Sequence, residues 1–121
     1  MTVLISAVMD LDPAHARRIL EEARPLIEAA LAEPGCEAYS WALDPFTPGR
    51  VHVFERWLDE ESLAGHFQLP AYTEMRVQLR SAGPIKSTSR KYRVDRDEPV
   101  YDETGSPRAD FFCPATTAPK R

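Results

Sequence analysis

The chain has 121 residues, of which 28% are charged, and its formal net charge is -4 at neutral pH. This length predicts one domain with at most a tail, large enough to bury about two-thirds of its unfolded surface. The acidic balance argues against a nucleic-acid-binding protein, and no apolar run approaches the ~20 residues of a membrane-spanning helix.

Two further features of the sequence predict a cytoplasmic protein. The segment from Thr2 to Ser6 lacks the basic flank of a signal peptide and is typical of a strand. The two cysteines, Cys36 and Cys113, do not make a disulfide framework. We therefore expect a soluble protein in a reducing compartment, with no membrane and no nucleic acid as partner.

The first third of the chain predicts a strand, a kinked helix and a second strand. Residues 2 to 10 form the first strand, and Asp12 and Pro13 supply an N-cap and a proline at the first helical position. The helix that follows has an apolar stripe at helical spacing, and Pro25 predicts a kink because it removes one backbone donor. Residues 34 and 35, Pro-Gly, end it, and residues 36 to 43 form the second strand.

The middle of the chain predicts a strand that runs directly into two short helices. Residues 51 to 58 alternate and are rich in β-branched and aromatic side chains, as in a buried strand. Asp59 is a good N-cap, and the two glutamates after it suit the positive end of a helix dipole. This helix ends near His66, and Pro70 starts a second helical run to Leu79.

The order of predicted elements is βαββαβ, which is the ferredoxin-like plan of the α+β class. Residues 82 to 84, Ala-Gly-Pro, break the chain, and residues 85 to 95 form an unusually polar fourth strand. Helices on one side of a four-stranded antiparallel sheet leave its other side open. Because the second and third strands carry apolar side chains on both faces, we expect a second copy of the sheet to cover the open side in a twofold homodimer. The alternative is a sheet with a few exposed apolar side chains.

Residues 1 to 95 are therefore predicted to form the domain, and residues 96 to 121 a C-terminal extension. Prolines punctuate the extension and no periodicity survives in it, which by composition is typical of a disordered tail. Three rings, Tyr101, Phe111 and Phe112, argue instead for an arm laid across the body or the partner subunit.

Three motifs in this sequence resemble the antibiotic biosynthesis monooxygenase family. They are Glu-Pro-Gly-Cys at residues 33 to 36 ahead of Tyr39, Glu-x-Trp ending at Trp57, and Glu-x-x-x-x-His from Glu61 to His66. The resemblance covers roughly residues 2 to 95. It implies a small ferredoxin-like domain that pairs as a dimer, in which the two sheets form a shared α/β barrel.

The candidate catalytic residues are His66 and Tyr72. An imidazole titrates near neutral pH and suits proton transfer, so His66 is a candidate general base or donor toward a phenolic substrate. The alternative is a histidine that bonds the last carbonyls of its helix. Tyr72 is either a second donor to a substrate oxygen or a tyrosine at the edge of the core.

The candidate substrate-binding residues are mostly aromatic. The set consists of Tyr39, Trp41, Trp57, Phe67 and Arg76. Large rings on a sheet also serve as core or dimer interface, which is the alternative for the tyrosine and both tryptophans.

Two charged features have structural interpretations that compete with functional ones. Glu55 lies mid-strand among apolar residues, where we favour an ion pair over a carboxylate turned to a wet cavity. The basic stretch from Lys86 to Arg96, with Arg76 and Arg80 before it, is either a solvated edge or a holder for an anionic substrate. The three histidines have no close-spaced cysteines or carboxylates, so we expect no metal site.

The resemblance implies a monooxygenase that needs no cofactor and acts on a small hydroxyaromatic or quinol through the substrate anion and O2. The alternative is a non-catalytic or isomerase-like domain that binds a small aromatic molecule. The chain contains no asparagine, whereas the tailoring oxygenases and the haem-degrading branch both use one. The haem-degrading branch also has tryptophan where this chain has His66 and its ligand histidine near Arg76, so haem degradation is disfavoured.

Overall fold

A computed structural model describes residues 1 to 111 of the chain. Its elements in chain order are β1 (Thr2–Asp10), α1 (Ala16–Glu22), α2 (Arg24–Leu31), β2 (Cys36–Leu43), β3 (Arg50–Trp57), α3 (Glu60–Phe67), α4 (Pro70–Leu79) and β4 (Lys86–Val94). The strands form one antiparallel sheet in the order β2-β3-β1-β4. The predicted ferredoxin-like α+β fold is confirmed.

The first helical region differs from the prediction at its start. Asp12 does not cap a helix at Pro13; its carboxylate accepts from the Ala14 backbone N–H at 2.8 Å, and residues 13 to 15 form a turn. The kink expected at Pro25 is a full break at Ala23. Because Pro25 lies in the first turn of α2, its missing N–H would have had no helical partner there.

α3 begins at the residue that the sequence predicts. Asp59 accepts from the Ser62 backbone N–H at 2.8 Å, as an N-cap does. The helix then runs two turns to His66, which is buried against the sheet. Pro70 begins α4, as predicted.

The core lies between the helices and one face of the sheet. Trp57, Ile19 and Val51 are fully buried there. α4 runs along this face from Ala71, which packs in the cluster of Val3 and Trp57, to Leu79, which packs in the cluster of Val51. This direction sets which part of the sheet each side chain of α4 meets.

On the other face of the sheet, none of the helices among residues 1 to 111 packs, and exposed rings lie there. Phe54 on β3 is 44% exposed and Tyr92 on β4 is 49% exposed. Arg56 on this side is paired, since it donates to Glu37 at 2.8 Å and to Asp97 at 3.0 Å. The face is thus partly apolar, with exposed rings beside charged side chains.

The extension begins with a short turn beyond β4. Tyr101 and Pro107 form an isolated bridge around a turn in which Asp102 accepts from two backbone N–H groups. Tyr101 is 60% exposed and Phe111 is 63% exposed, while Phe112 and Cys113 lie outside the described residues. The expected arm stays a prediction. Within residues 1 to 111, none of the helices has the length and apolar character needed to cross a membrane.

Candidate functional site

A cavity of about 240 Å³ lies between α3, α4 and the helix-facing side of the sheet. The sheet contributes Ile5, Ala7, Met9, Tyr39, Trp41, Val53, Glu55, Ser87 and Ser89 to its wall. The helices contribute His66, Phe67, Tyr72, Met75, Arg76, Leu79 and Arg80, and Ile85 closes the wall between α4 and β4. The structure therefore brings six of the seven predicted site residues to one cavity.

His66 forms the most buried polar contact of the site. Its Nδ1 lies 2.6 Å from Glu33 Oε1, and the two side chains are 2% and 8% exposed. Glu33 does not line the cavity, whereas His66 does. The ring nitrogen available to a cavity occupant is therefore Nε2. In the neutral imidazole, a carboxylate that accepts from Nδ1–H favours the tautomer whose Nε2 carries a lone pair, which is the form a general base requires.

Glu33 is the main functional residue that the sequence analysis missed. It follows α2, where the negative end of the helix dipole disfavours a carboxylate. A carboxylate at this unfavourable position was the sequence feature that could have indicated a functional role. The turn after it is held against α3 and the end of β3. Gly35 accepts from the Leu58 N–H at 2.8 Å and packs directly on Ser62, one turn before His66.

Glu55 is a second carboxyl group at this end of the cavity. It accepts a hydrogen bond of 2.9 Å from Trp57 Nε1 and forms no ion pair within the described part of the chain. The expected ion pair is wrong, because Arg56 points to the other face of the sheet and Arg76 bonds to Tyr72. Burial raises the pKa of Glu55, and the nearby Glu33 charge adds to the shift.

Replacing Glu55 with glutamine is expected to stabilise the protein increasingly as pH rises. The folded-state pKa of Glu55 is raised above its ordinary value of 4.5, so the folded wild type loses stability as pH climbs from 4.5 through that raised pKa. A glutamine side chain at this position does not ionise and can still accept from Trp57. Denaturant unfolding should give nearly equal stabilities at pH 4 and an advantage for Glu55→Gln that widens above pH 4.5 and levels off once pH exceeds the raised pKa. A constant difference would contradict a raised pKa.

The two sheet rings that line the cavity differ in their polar atoms. Burial and, next, the Glu55 charge raise the pKa of the Tyr39 hydroxyl, which therefore stays protonated at neutral pH. The Trp41 ring N–H lowers the pKa of Tyr39, but by less than burial and the Glu55 charge raise it. This N–H lies near the Tyr39 oxygen without forming a proper hydrogen bond to it. The Trp41 Nε1 atom is buried and lacks a hydrogen-bond partner among the described residues. An unsatisfied buried donor costs about 1–3 kcal/mol, which an acceptor on a ligand would recover.

Trp57, which was predicted to contact substrate, does not line the cavity. It is 0% exposed and lies behind His66, with ring centroids 4.7 Å apart. Its position at the last residue of β3, under α3, makes it core. It contacts the site only indirectly: its ring packs against the His66 imidazole, and its N–H donates to Glu55.

The three predicted residues on the helices lie together at the cavity. Tyr72 and Phe67 pack with ring centroids 5.0 Å apart, and each lies within 6 Å of the His66 ring. Arg76 donates to the Tyr72 hydroxyl oxygen at 3.2 Å, with its guanidinium carbon 5.8 Å from the ring centroid. The Tyr72 hydroxyl thus accepts from a cation and keeps its own proton for an acceptor in the cavity.

Among residues 1 to 111, no group of three or more histidine, cysteine or acidic side chains is arranged to hold a metal ion. What the cavity does offer is one oriented imidazole, two carboxyl groups near it, and several donors along an apolar wall. This set can accept a proton from a hydroxyl group and stabilise the oxygen anion that results.

Comparisons with known proteins agree with this architecture. The model of the antibiotic biosynthesis monooxygenase family matches residues 2–78, whereas no curated protein is significantly similar to the chain. A conserved protein from Methanosarcina mazei Go1 is 24% identical, with a TM-score of 0.69 over 77% of this chain and 92% of that one. An antibiotic biosynthesis monooxygenase of known structure is 23% identical, with a TM-score of 0.67 over 76% of this chain and 97% of that one.

The protein Rv0793 from Mycobacterium tuberculosis is 25% identical, with a TM-score of 0.64 over 81% of this chain and 100% of that one. The family match ends within α4, so β4 and the extension lie beyond it. Because the matched region makes up more than half of the sequence, this chain belongs to the antibiotic biosynthesis monooxygenase family.

Proposed function

We propose that this protein is a cofactor-independent monooxygenase that acts on a small hydroxyaromatic or quinol in the cavity beside His66. The observation that carries the proposal is the buried contact of 2.6 Å between His66 Nδ1 and Glu33, which presents the other ring nitrogen to the cavity. Family membership supports the same reaction class.

The first step is transfer of the substrate's hydroxyl proton to His66 Nε2. The imidazolium that forms keeps Glu33 as its counter-ion, which favours the charged pair in a site with little water. This help is needed, because the same surroundings raise the pKa of the Tyr39 phenol and would do so for a substrate phenol. The raised pKa of Glu55 favours its neutral form, which reduces repulsion toward the new anion.

The second step is the reaction of the substrate anion with O2. An electron-rich phenolate can pass one electron to O2, and recombination at a ring carbon that bears hydrogen gives a peroxide anion. The proton held by His66 returns to this anion and gives a hydroperoxide. Loss of water then leaves a carbonyl at that carbon. One oxygen atom enters the product and the other leaves as water. The substrate itself supplies both electrons and both hydrogens, so no external reductant is needed.

Donors along the wall suit the charge that develops during these steps. Among the described residues the Trp41 N–H has no hydrogen-bond partner, and the Tyr72 hydroxyl can donate to an occupant while its oxygen accepts from Arg76. Preorganised donors in a dry site stabilise an oxyanion more than water does. The volume fits one or two aromatic rings, given that an apolar cavity of roughly 150 Å³ accommodates benzene.

We also propose that the open face of the sheet binds a second copy of the chain. Phe54 and Tyr92 are half-exposed there, and Arg56 on the same face is already paired with Glu37 and Asp97 within one chain, so its burial against a twin surface does not leave it without a counter-charge. Sedimentation equilibrium should give about twice the chain mass of 13.7 kDa. A monomer at micromolar concentration would contradict this proposal.

The test of function measures oxygen uptake and ligand binding separately. The purified protein is incubated with a set of hydroquinones, naphthols and anthrones, with an oxygen electrode as readout and product mass as confirmation. Protein-dependent uptake with one oxygen atom in the product supports the proposal. Binding measured without O2, in the absence of any uptake with O2, would indicate the alternative, a domain that binds aromatic molecules without turnover.

A further inference from the structure

The cavity is elongated, and its two ends carry different polar groups, a carboxyl group beside His66 and an arginine at the far end. The strand pairs Tyr39–Glu55 and Ile5–Glu55 lie at the end beside His66, whereas Met9 and Ser87 pair with each other at the far end. Ile5 and Met9 are four residues apart on one strand, which corresponds to about 13 Å. The cavity therefore spans more than the length of a single aromatic ring.

The helix side of the cavity has the same length and places arginines toward the far end. Tyr72 lies beside His66, with ring centroids 5.5 Å apart. Arg76 and Arg80 follow at one-turn spacing, so Arg80 lies about 12 Å along α4 from Tyr72. Both arginines line the cavity, and their side chains turn back along α4. Arg76 Nη1 donates to the Tyr72 hydroxyl oxygen at 3.2 Å, and Arg80 Nη1 donates to the Arg76 carbonyl oxygen at 3.4 Å.

These two arginines have no acidic partner within the part of the chain that the structure describes. The ion pairs found there use other cations, such as Arg18 with Glu22 and Arg50 with Asp10. In contrast, the end beside His66 holds the Glu55 carboxyl in the wall and Glu33 behind the imidazole. An occupant that matches both ends has a hydrogen-bond donor at one end and an anion at the other.

We propose that the ligand is a hydroxyaromatic acid, with its hydroxyl group at His66 and Glu55 and its carboxylate at Arg76 and Arg80. This inference rests on the proposed function for the hydroxyl end and adds the acidic group as the determinant of specificity. A planar carboxylate matches the paired donors of a guanidinium. One or two rings bridge the distance between the two ends across the apolar wall.

The test is equilibrium binding by calorimetry in oxygen-free buffer with three probes of matched size. These are 6-hydroxy-2-naphthoate, 2-naphthol, which lacks the carboxylate, and 2-naphthoate, which lacks the hydroxyl. Wild type should bind 6-hydroxy-2-naphthoate roughly 10- to 100-fold more tightly than 2-naphthol, as expected for charge-assisted hydrogen bonds. High salt should reduce that advantage, because the arginines are exposed enough to be screened.

Variants assign the advantage to the two arginines. Arg80→Gln should remove most of the preference for the acid while leaving the affinity for 2-naphthol within about twofold. Arg76→Gln should also reduce the preference for the acid. Arg17→Gln is the matched control, because Arg17 is an exposed arginine on α1 that does not line the cavity. Equal affinity for 6-hydroxy-2-naphthoate and 2-naphthol, or an unchanged preference in both arginine variants, would overturn the proposal.

The outcome is separable from that of the oxygenase proposal. If the acid binds in an arginine-dependent way but no oxygen is taken up, the proposed ligand class is supported and the oxygenase proposal is contradicted. If neutral naphthols are turned over and the acid is not preferred, the oxygenase proposal is supported and the proposed ligand class is contradicted. Equal binding of 2-naphthoate and its hydroxylated form overturns the placement of the hydroxyl at His66, and no binding of any probe overturns the proposal.

Discussion

Replacing His66 with glutamine is expected to lower oxygen uptake with the best hydroxyaromatic substrate by about 10²–10⁴-fold, the range for loss of a positioned general base. Glutamine retains a polar group that can face Glu33, so the buried carboxylate is not left alone as it would be in an alanine variant. Ligand affinity measured without O2 should change far less than the rate, because the base acts on the proton transfer.

Because Glu33 affects the rate only by orienting His66, substitutions at the two residues should not have additive effects on oxygen uptake. Glu33→Gln should reduce the rate by roughly 10–100-fold, as loss of an orienting carboxylate does at other oriented histidines. The double variant should be no slower than His66→Gln alone, because a positioning residue has nothing left to position. Glu61→Gln, an exposed carboxylate on α3, is the control and should retain the wild-type rate.

Additive losses from the two substitutions would contradict the coupling between Glu33 and His66. Thermal melts of each variant are compared first, so that a loss of folding is not mistaken for a loss of chemistry. A fully active His66→Gln variant would exclude this histidine as the base. The partly buried Glu55, which faces the same end of the cavity, would then be the remaining candidate.

The parts of the fold that depend on local signals were predictable from the sequence. β2 has the predicted bounds because its residues are bordered by Pro-Gly at one end and a turn at the other. The N-cap of α3 at Asp59 needs only a carboxylate and a free N–H three residues later. Tyr72 and Arg76 meet because residues four apart share a helix face.

The parts that depend on tertiary packing were not predictable. Glu33 and His66 are far apart in sequence, and their contact exists only because the turn after α2 packs on α3. For Trp57 and Glu55, alternation along β3 could place both side chains on one face but could not give their depth. The strand end under α3 is sealed by the helix, so Trp57 is core, while Glu55 two residues earlier faces the cavity. Periodicity carries no information about where a helix ends above a sheet.

Replacing Gly35 with alanine is expected to destabilise the protein by roughly 2–4 kcal/mol and to disable the site as well. Gly35 has φ of 78°, a left-handed conformation that costs other residues about 1–2 kcal/mol. A Cβ there would lie 2.0 Å from Ser62 Oγ and 2.4 Å from Ser62 Cβ, so the turn and α3 must separate. That movement would also strain the bond from Leu58 N–H to the Gly35 carbonyl and displace Glu33 from His66.

Gly65→Ala is the matched control, because Gly65 lies within α3 one residue before His66 and an added Cβ meets no atom within 4 Å. Alanine suits a helix interior better than glycine, so this variant should gain about 0.5–1 kcal/mol. Urea unfolding of the three proteins gives both differences directly. If Gly35→Ala were as stable as wild type, with His66 still bonded to Glu33 by histidine NMR, the turn would not be what holds these two residues together.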